Sequence, residues 1–210
     1  CYCVDDEGNY QMKLYTRGNG SVGQDITYLI KHFRLPELTS YDIIIRGEFI
    51  IKKKVFEEKY SENAANPRNF VSGIINSKQI HPEILKDIDF VVYEVVNPIV
   101  KPENQMKGIQ KLNFNTVLWD CLDSKDVNVE NLSKILMLWR KEYDYEIDGI
   151  ICSDNDIYER KQGNPEHSFA FKMILNEQMA ETNVIDIIWN PSKDGLLKPI
   201  VQIEPVNLSG

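Results

Sequence analysis

The chain has 210 residues, of which 42% are hydrophobic and 27% are charged. These fractions are typical of a folded protein and exclude a disordered chain, which combines low hydrophobicity with high net charge. No run of about 18 uncharged apolar residues occurs, so we expect no membrane-spanning helix and no membrane partner. With 24 basic and 32 acidic residues the formal net charge is −8, so any binding to a nucleic acid has to use a local basic surface.

The amino-terminal segment, CYCVDDEGNY, is acidic and polar, unlike a signal peptide, and it starts with cysteine. We therefore interpret the chain as a fragment or a processed product. Its four cysteines have neither the C-x-x-C spacing nor the histidine partners of a structural zinc site. A chain of this length with a full core also has little need of disulfides, so we expect a reducing, intracellular setting.

Residue patterns in the first half predict, in chain order, two strands, two helices, a third strand and an exposed loop. These are Met12–Thr16, Asp42–Phe49, Lys52–Tyr60, Pro67–Asn76, Ile88–Val96 and Asn97–Gln110. The second helix has the clearest start, because Asn66 can cap it and Pro67 occupies its first turn, where a missing N–H costs nothing. The loop is predicted from its two prolines, Pro98 and Pro102.

The second half is predicted to contain one helix and then four strands. These are Leu132–Tyr143, Ile147–Ser153, Ser168–Ile174, Val184–Trp189 and Ile200–Pro205. The helix has apolar residues at i, i+3, i+4, i+7 and i+11, with Asn128 as its cap. A shift in composition near Asn176–Thr182 separates a mixed α+β domain, residues 1–176, from the opening of a second β domain, residues 177–210.

Three glycines, Gly18, Gly20 and Gly23, spell G-x-G-x-x-G between a predicted strand and a possible helix, Asp25–Phe33. In a Rossmann domain such glycines bring backbone N–H groups to a pyrophosphate. The chain lacks regular βαβ alternation, however, and the pattern often occurs by chance. We interpret it as a turn between a strand and a helix.

Five charged residues are candidate site residues, each with an alternative explanation. Glu48 ends a strand and is either a solvated terminus or an acceptor of ribose hydroxyls or a cation. Arg68 lies in the first turn of a helix whose dipole it opposes, and it either meets a bound phosphate or lies on the surface by chance. Lys172 lies within a strand and either meets a phosphate or extends outward into solvent. Asp148 precedes glycine, as in a hairpin turn, and Arg140 in a last helical turn is favourable without a ligand.

Seven blocks, in order, resemble the adenylation domain of NAD-dependent DNA ligases. The blocks are YTRGNGSVGQDIT, IIIRGEF, NAANPRNFVSG, DFVVYEV, YEIDGII, FAFKM and DGLLKPIVQIEPVNLSG. They are similar to that family's TRGDGxxGEDVT, EVRGE, FANPRNAAAG, LxFxxYG, DGVVIK, AFKF and TGxxTPVAxLEPVxLAG. The resemblance implies an α+β nucleotidyltransferase fold, like that of DNA ligases and mRNA capping enzymes, with antiparallel sheets and flanking helices. It also implies that residues 177–210 are the first strands of an OB-fold.

The same resemblance implies a three-step reaction on nicked duplex DNA. A lysine attacks the α-phosphate of NAD and releases NMN, AMP passes to the 5′-phosphate at the nick, and the 3′-hydroxyl displaces AMP to seal the strand. Magnesium assists. Such phosphoryl transfers depend on positioning and on neutralising charge, which arginine and lysine side chains provide. The implied protein is a monomer in the cytoplasm, or in the host-cell cytoplasm if it is viral.

The resemblance also assigns roles to individual residues. Arg17 and Glu48 match contacts to the adenylate or NAD. Lys172 matches the lysine that neutralises the α-phosphate and acts in catalysis. Arg68 and Arg140 match catalytic arginines that bind phosphate or the DNA near the nick.

Asp148 matches an aspartate that holds the metal or the lysine. The chain also departs from the family pattern in three ways. The nucleophilic lysine belongs to a K-x-D-G block expected a few residues before Cys1, so we expect the chain as given to be inactive. Ser153 stands at a cofactor-binding position where the family has lysine, and Asn76 stands where it has a second arginine. Both changes remove positive charge from the phosphate site.

Two alternatives follow. The first is a degenerate relative of the ligases that binds DNA or adenylate without catalysis, and Ser153 and Asn76 favour it. The second is an ATP-dependent polynucleotide ligase or a capping-type nucleotidyltransferase. The residues just upstream discriminate, because an intact K-x-D-G indicates an enzyme and an NMN-binding helical domain indicates NAD as the donor.

Overall fold

The structure is a computed structural model that describes most of the chain. The described residues are 1–5, 7–18, 22–38, 42–62, 64, 66–160, 163–173, 181–192 and 195–206. Contacts between residues divide the chain into two units, Cys1–Phe171 and Lys172–Gly210. Within the described residues, no helix is long and apolar enough to cross a bilayer.

The described part of the first unit contains short strands and helices in irregular order, and the second unit contains a strand pair. In chain order they are β1 (Tyr2–Val4), β2 (Tyr10–Met12), β3 (Ile44–Ile51), α1 (Lys53–Lys59), α2 (Pro67–Ile75), α3 (Pro82–Leu85), β4 (Ile88–Asn97), α4 (Pro102–Lys111), α5 (Val129–Glu142), β5 (Ile150–Ser153), β6 (Ser168–Phe171), β7 (Val184–Pro191) and β8 (Leu197–Ile203). Two short 3₁₀ helices, Thr27–His32 and Ser124–Asp126, lie between them.

The described strands pair only as antiparallel two-stranded ladders: β1 with β2, β3 with β4, β5 with β6 and β7 with β8. This mixture of helices and small antiparallel sheets confirms the predicted α+β class. The β3–β4 ladder shifts register between Arg46 and Gly47, because Arg46 lies opposite Glu94 whereas Gly47 lies opposite Val92. Tyr93 is therefore the extra residue of a bulge in β4.

The two helices with predicted asparagine caps form as expected. The backbone N–H of Asn69 donates to Asn66 Oδ1 at 2.8 Å, which caps α2. The N–H of Asn131 donates to Asn128 Oδ1 at 3.0 Å, which caps α5. Each cap satisfies an N–H that the first turn of a helix leaves without a partner, so local sequence alone determines both starts.

Two hydrophobic clusters form the core of the first unit, and the β3–β4 ladder contributes to both. One end of the ladder, Ile51 opposite Ile88, belongs to the cluster that packs against α1, α2 and the first 3₁₀ helix. Further along β4, Val92 and Val95 belong to the cluster that contains Ile109 of α4. The ladder is thus held at both ends by buried apolar side chains.

Two predictions about local structure are wrong, and a third is confirmed only in part. The exposed loop predicted at 97–110 contains helix α4, because Pro102 occupies the first helical position, where proline is tolerated, and Met106 and Ile109 are buried. The strand predicted at 12–16 lies earlier, at Tyr10–Met12, and Tyr15 makes only an isolated bridge to Asp25. The helix proposed at 25–33 is a short 3₁₀ helix.

Candidate functional site

A cavity with a volume of about 570 Å³ lies in the first unit, between the amino-terminal strands, the glycine-containing turn and the β3–β4 ladder. Its charged lining residues are Lys13, Arg17, Arg46 and Glu48. The lining therefore has a net charge of two positive units, although the whole chain carries −8. This is the local positive surface that an acidic protein needs in order to bind an anion.

Arg17 lies in a turn that two hydrogen bonds between Thr16 and Gln24 close. The N–H of Thr16 donates to the carbonyl oxygen of Gln24 at 2.9 Å, and the N–H of Gln24 donates to Thr16 Oγ1 at 2.9 Å. The chain before and after this turn is antiparallel at one isolated bridge, between Tyr15 and Asp25. A Rossmann unit runs from a strand through its glycine motif into an α-helix, whereas the described residues here fold back at one bridge and lead into a 3₁₀ helix, which favours the turn interpretation.

Two of the motif's glycines are required by the tightness of the turn. Gly18 has a φ of +55°, and a Cβ at this residue would lie 1.8 Å from the carbonyl oxygen of Val22. A Cβ at Gly23 would lie 2.0 Å from the carbonyl oxygen of Thr16. Gly20 lies outside the described residues. The glycines therefore allow the backbone to fold back on itself beside Arg17.

Glu48 lies on β3 at the cavity and forms an ion pair with the first turn of α2. Its Oε1 lies 3.8 Å from Nη2 of Arg68, and both side chains are more than half exposed. The structure thus brings Arg17 and Glu48 together in one cavity and places Arg68 beside it. The phosphate expected near Arg68 stays a prediction, and within the structure Arg68 pairs with the carboxylate of Glu48.

Tyr93 is a site residue that the sequence analysis did not single out. It is the bulged residue of β4, it lines the cavity, and its side chain is 44% exposed although Val91 and Val92 are buried. Burial raises the pKa of its phenol, and the nearby Glu94 carboxylate raises it further. The place of Tyr93 at the cavity follows from the bulge in β4, which no local sequence pattern indicates.

Arg140 and Asp148 form a second group, whose residues are not among those that line the cavity. Arg140 donates from Nε to the carbonyl oxygen of Ile147 at 3.2 Å and from Nη2 to that of Asp148 at 3.1 Å. Lys53 Nζ in turn donates to the carbonyl oxygen of Arg140 at 2.9 Å. Arg140 therefore holds the backbone that leads into β5, and its contact with phosphate or DNA stays a prediction.

Ser153 and Lys172 lie at opposite ends of the β5–β6 hairpin. Ser153 ends β5, is exposed and lies opposite Ser168. Lys172 is exposed and directly follows β6, at the point where the chain divides into its two units. No residue of β5 or β6 is among the described residues that line the cavity.

The described residues contain no cluster of three or more His, Cys, Asp or Glu side chains that could hold a metal ion. Magnesium, however, is usually bound through one or two carboxylates together with substrate phosphates, so a dedicated cluster is not required. Asp148 is exposed and lies two residues before β5, and its role as a metal ligand stays a prediction.

A sequence model of the NAD-dependent DNA ligase adenylation domain matches residues 6–173. The chain belongs to this family. The match includes Arg140, Asp148, Lys172 and the cavity-lining residues other than Cys1 and Tyr2, and it confirms the family that the seven sequence blocks indicated.

Curated relatives of the chain bear the name DNA ligase. Over 99% of its length the chain is 42% identical to a DNA ligase of Acanthamoeba polyphaga mimivirus, of which it covers 33%. It is 33% identical to a DNA ligase of Natranaerobius thermophilus over 93% of the chain and 32% of that protein. It is 31% identical to a DNA ligase of Lactobacillus acidophilus over 99% of the chain and 33% of that protein. The chain thus spans about a third of the length of these relatives.

Proposed function

We propose that the complete gene product is an NAD-dependent DNA ligase and that this chain is the core that takes AMP from NAD and transfers it to nicked duplex DNA. The observation that carries the proposal is the positively lined cavity, which gathers Arg17, Glu48 and Tyr93 within a chain that belongs to the ligase adenylation family. The nucleotidyltransferase fold and the OB-fold beginning at residue 177 are part of the same proposal.

The dimensions and lining of the cavity suit an adenylate. Its volume of about 570 Å³ lies within the usual range of small-molecule sites. The ring of Tyr93 offers an aromatic face on which adenine can stack. The Glu48 carboxylate can accept hydrogen bonds from ribose hydroxyls, and Arg17 and Lys13 supply positive charge for the phosphates.

The nucleophile in this proposal is a lysine that precedes Cys1 in the complete gene product. Cys1 lines the cavity, and each extended residue adds roughly 3.3 Å, so a lysine a few positions upstream is within reach. Its neutral amine attacks the α-phosphate, a P–N bond forms, and the bond to the bridging oxygen breaks as NMN leaves. In the later steps AMP passes to the 5′-phosphate of the DNA and is then displaced by the 3′-hydroxyl.

The remaining candidate residues act on charge and position. Lys172 and Arg68 would neutralise phosphate oxygens as charge shifts to the leaving group. Arg140 would act through the backbone beside the Asp148 side chain, because it donates to the carbonyl oxygens of Ile147 and Asp148. Asp148 would hold Mg²⁺, which supplies further neutralisation of phosphate charge when bound.

Intact mass spectrometry of the complete gene product tests the proposal. After incubation with magnesium and NAD we expect the mass to increase by one AMP, and with ATP we expect no change. A gain from ATP alone would contradict NAD dependence and indicate the ATP-dependent branch of ligases or capping enzymes.

A degenerate, binding-only relative is the second candidate, and two residues favour it. Ser153 supplies no positive charge, and the side chain of Asn76 donates to the carbonyl oxygen of Ser72 in its own helix at 2.8 Å. No mass gain with either nucleotide, together with retained binding of nicked DNA, would support this candidate and exclude the enzyme.

A further inference from the structure

One carboxylate, that of Glu94, is shared by two arginines from distant parts of the first unit. Nη1 of Arg46 on β3 lies 3.5 Å from Glu94 Oε2. Nη2 of Arg160, in the segment between β5 and β6, contacts Glu94 Oε1. Two guanidinium groups thus converge on opposite oxygens of one side chain.

Arg160 reaches this position because its segment is tied to the start of α4. Asn155 Oδ1 accepts the backbone N–H of Glu103 at 3.1 Å, and Asn155 Nδ2 donates to Glu103 Oε2 at 3.2 Å. The next residue, Asp156, forms an ion pair with Lys101 at 3.3 Å. These contacts fix residues 155–156 on α4, so that Arg160 reaches β4.

The cluster adjoins the cavity. Arg46 and Tyr93 both line it, and Glu94 follows Tyr93 in β4. Among the described residues, Arg46 has an ion-pair partner but no hydrogen-bond acceptor, and its side chain is 44% exposed. Its N–H groups are therefore available to an acceptor group on a bound ligand.

Folding stability explains little of this arrangement. The side chains of Arg46 and Arg160 are nearly half exposed, and exposed ion pairs contribute little to the free energy of folding. Bringing two positive groups to one carboxylate also leaves one positive charge uncompensated. Such a charge beside a cavity whose lining is already positive favours a further anion.

We propose that Arg46 and Arg160, oriented by Glu94, clamp one phosphate group at the edge of the cavity. The proposal rests on the proposed function and adds a phosphate subsite to it. The phosphate belongs either to the dinucleotide or to the DNA strand. Glu94 stands where the family's F-x-x-Y-G pattern has glycine, so the clamp arises from this chain's own sequence.

The chemistry of the clamp is that of paired guanidinium groups. Each guanidinium has five N–H donors in a planar fork, and a shared carboxylate uses only some of them. The remaining donors of the two side chains can contact different oxygens of the same phosphate. Glu94 keeps the two positive groups together in the absence of ligand.

Binding measurements on the complete gene product test the clamp. Calorimetry gives the affinities for NAD and for adenosine, and fluorescence anisotropy gives the affinity for a nicked duplex with a 5′-phosphate. We expect Arg160→Gln to weaken NAD or the duplex about tenfold and to leave adenosine unchanged. If the DNA supplies the phosphate, the salt dependence of duplex binding also falls by about one phosphate contact.

The control is Lys125→Gln, which removes an exposed lysine with an acidic partner, Asp123, at 3.5 Å, away from the residues that line the cavity. We expect it to bind all three ligands as the wild type does. The double variant Arg46→Gln/Arg160→Gln should lose less than the product of the single losses, because both side chains hold the same phosphate.

The outcomes separate the clamp from the proposed function. If the wild type takes AMP from NAD but Arg160→Gln binds both NAD and the duplex normally, the clamp is wrong and the function stands. If the wild type binds neither phosphate ligand, both proposals fail. Should Arg160→Gln not fold, Arg160→Lys keeps the charge but loses the fork, and we expect it to show the same loss at a smaller scale.

Discussion

The β3–β4 and β7–β8 ladders have the same pairing but very different surroundings. Both are antiparallel, and the sequence predicts all four strands from runs of Ile, Val and aromatic residues. Helix α2 packs against β3 and α4 against β4, whereas every residue of β7 and β8 is exposed. Two strands can therefore pair without a hydrophobic core beside them. A cavity with fixed walls needs such a core, and the cavity lies on the β3–β4 ladder, which has one.

This difference also separates two kinds of apolar residue. Val92 of β4 is fully buried, while Ile187 and Trp189 of β7 are 48% and 57% exposed. A two-stranded hairpin is marginally stable by itself, so we expect most of the stability of the chain to come from the first unit. The following predictions test that expectation, starting with the largest effect.

The largest effect should come from a truncation in the core. Leu136 of α5 is fully buried, so Leu136→Ala should lower the free energy of unfolding by about 2–5 kcal/mol. Ile187→Ala, which removes the same kind of group from β7, should lower it by less than about 0.5 kcal/mol. Urea unfolding followed by the helical circular dichroism signal measures both, because all the described α-helices lie in the first unit.

An equal loss in the two variants would contradict the comparison. It would mean that the hairpin is packed against other protein in solution and contributes to the stability of the first unit. A loss of stability confined to Leu136→Ala would support the expectation that most of the stability comes from the first unit.

The next effect concerns a charged side chain that is anchored inside the first unit. Arg140→Met removes two hydrogen bonds to backbone carbonyls and should lower the free energy of unfolding by about 1–3 kcal/mol. Lys141→Met changes an exposed neighbour on the same helix and should lower it by less than about 0.5 kcal/mol. Equal effects in the same urea experiment would show that the Arg140 contacts do not hold the backbone.

A smaller effect, on activity alone, is expected at the cavity surface. In the complete gene product, Glu48→Gln should slow the transfer of AMP from NAD roughly tenfold, because a neutral amide is a weaker acceptor of ribose hydroxyls. Stability should hardly change, since the Glu48–Arg68 pair is exposed. Glu83→Gln, which breaks a similarly exposed pair with Lys86 at 3.0 Å, is the matched control and should transfer AMP normally.

A rate of AMP transfer in Glu48→Gln equal to that of the wild type would remove Glu48 from the site. The control separates this result from a general effect of losing a surface carboxylate. Single-turnover kinetics with labelled NAD measure both variants.

The smallest effect should come from a local cap. Asn66→Ala removes the side-chain acceptor for the Asn69 N–H and should lower the free energy of unfolding by about 1 kcal/mol. Asn69→Ala keeps that N–H and places a better helix former in the first turn, so it should be neutral or slightly stabilising. If both variants lost the same stability in thermal unfolding, the capping bond would not be the cause.

The sequence predicts those parts of the fold that short-range patterns determine. The starts of α2 and α5 follow from asparagine caps and from apolar spacing within a few residues. Helix α4 does not follow from such patterns, because Pro98 and Pro102 are also typical of a loop. Only the burial of Met106 and Ile109 against the sheet shows that Pro102 begins a helix.

The candidate site divides in the same way. Arg17 and Glu48 could be predicted because each lies in a short motif with a recognisable pattern. Tyr93 and Arg160 could not, because their positions depend on a bulge in β4 and on contacts between residues that are distant in sequence. Local patterns carry no information about such pairings.

The contact between Asn155 and α4 makes one amide a reporter of a distant segment. Lys101, at the cap position of the helix, makes no side-chain capping bond, and Asn155, 52 residues beyond Glu103, accepts the Glu103 N–H instead. Hydrogen–deuterium exchange at Glu103 should therefore speed up whenever residues 155–160 lift away from α4. Ligand binding at Arg160 would then be readable as slower exchange at this single position.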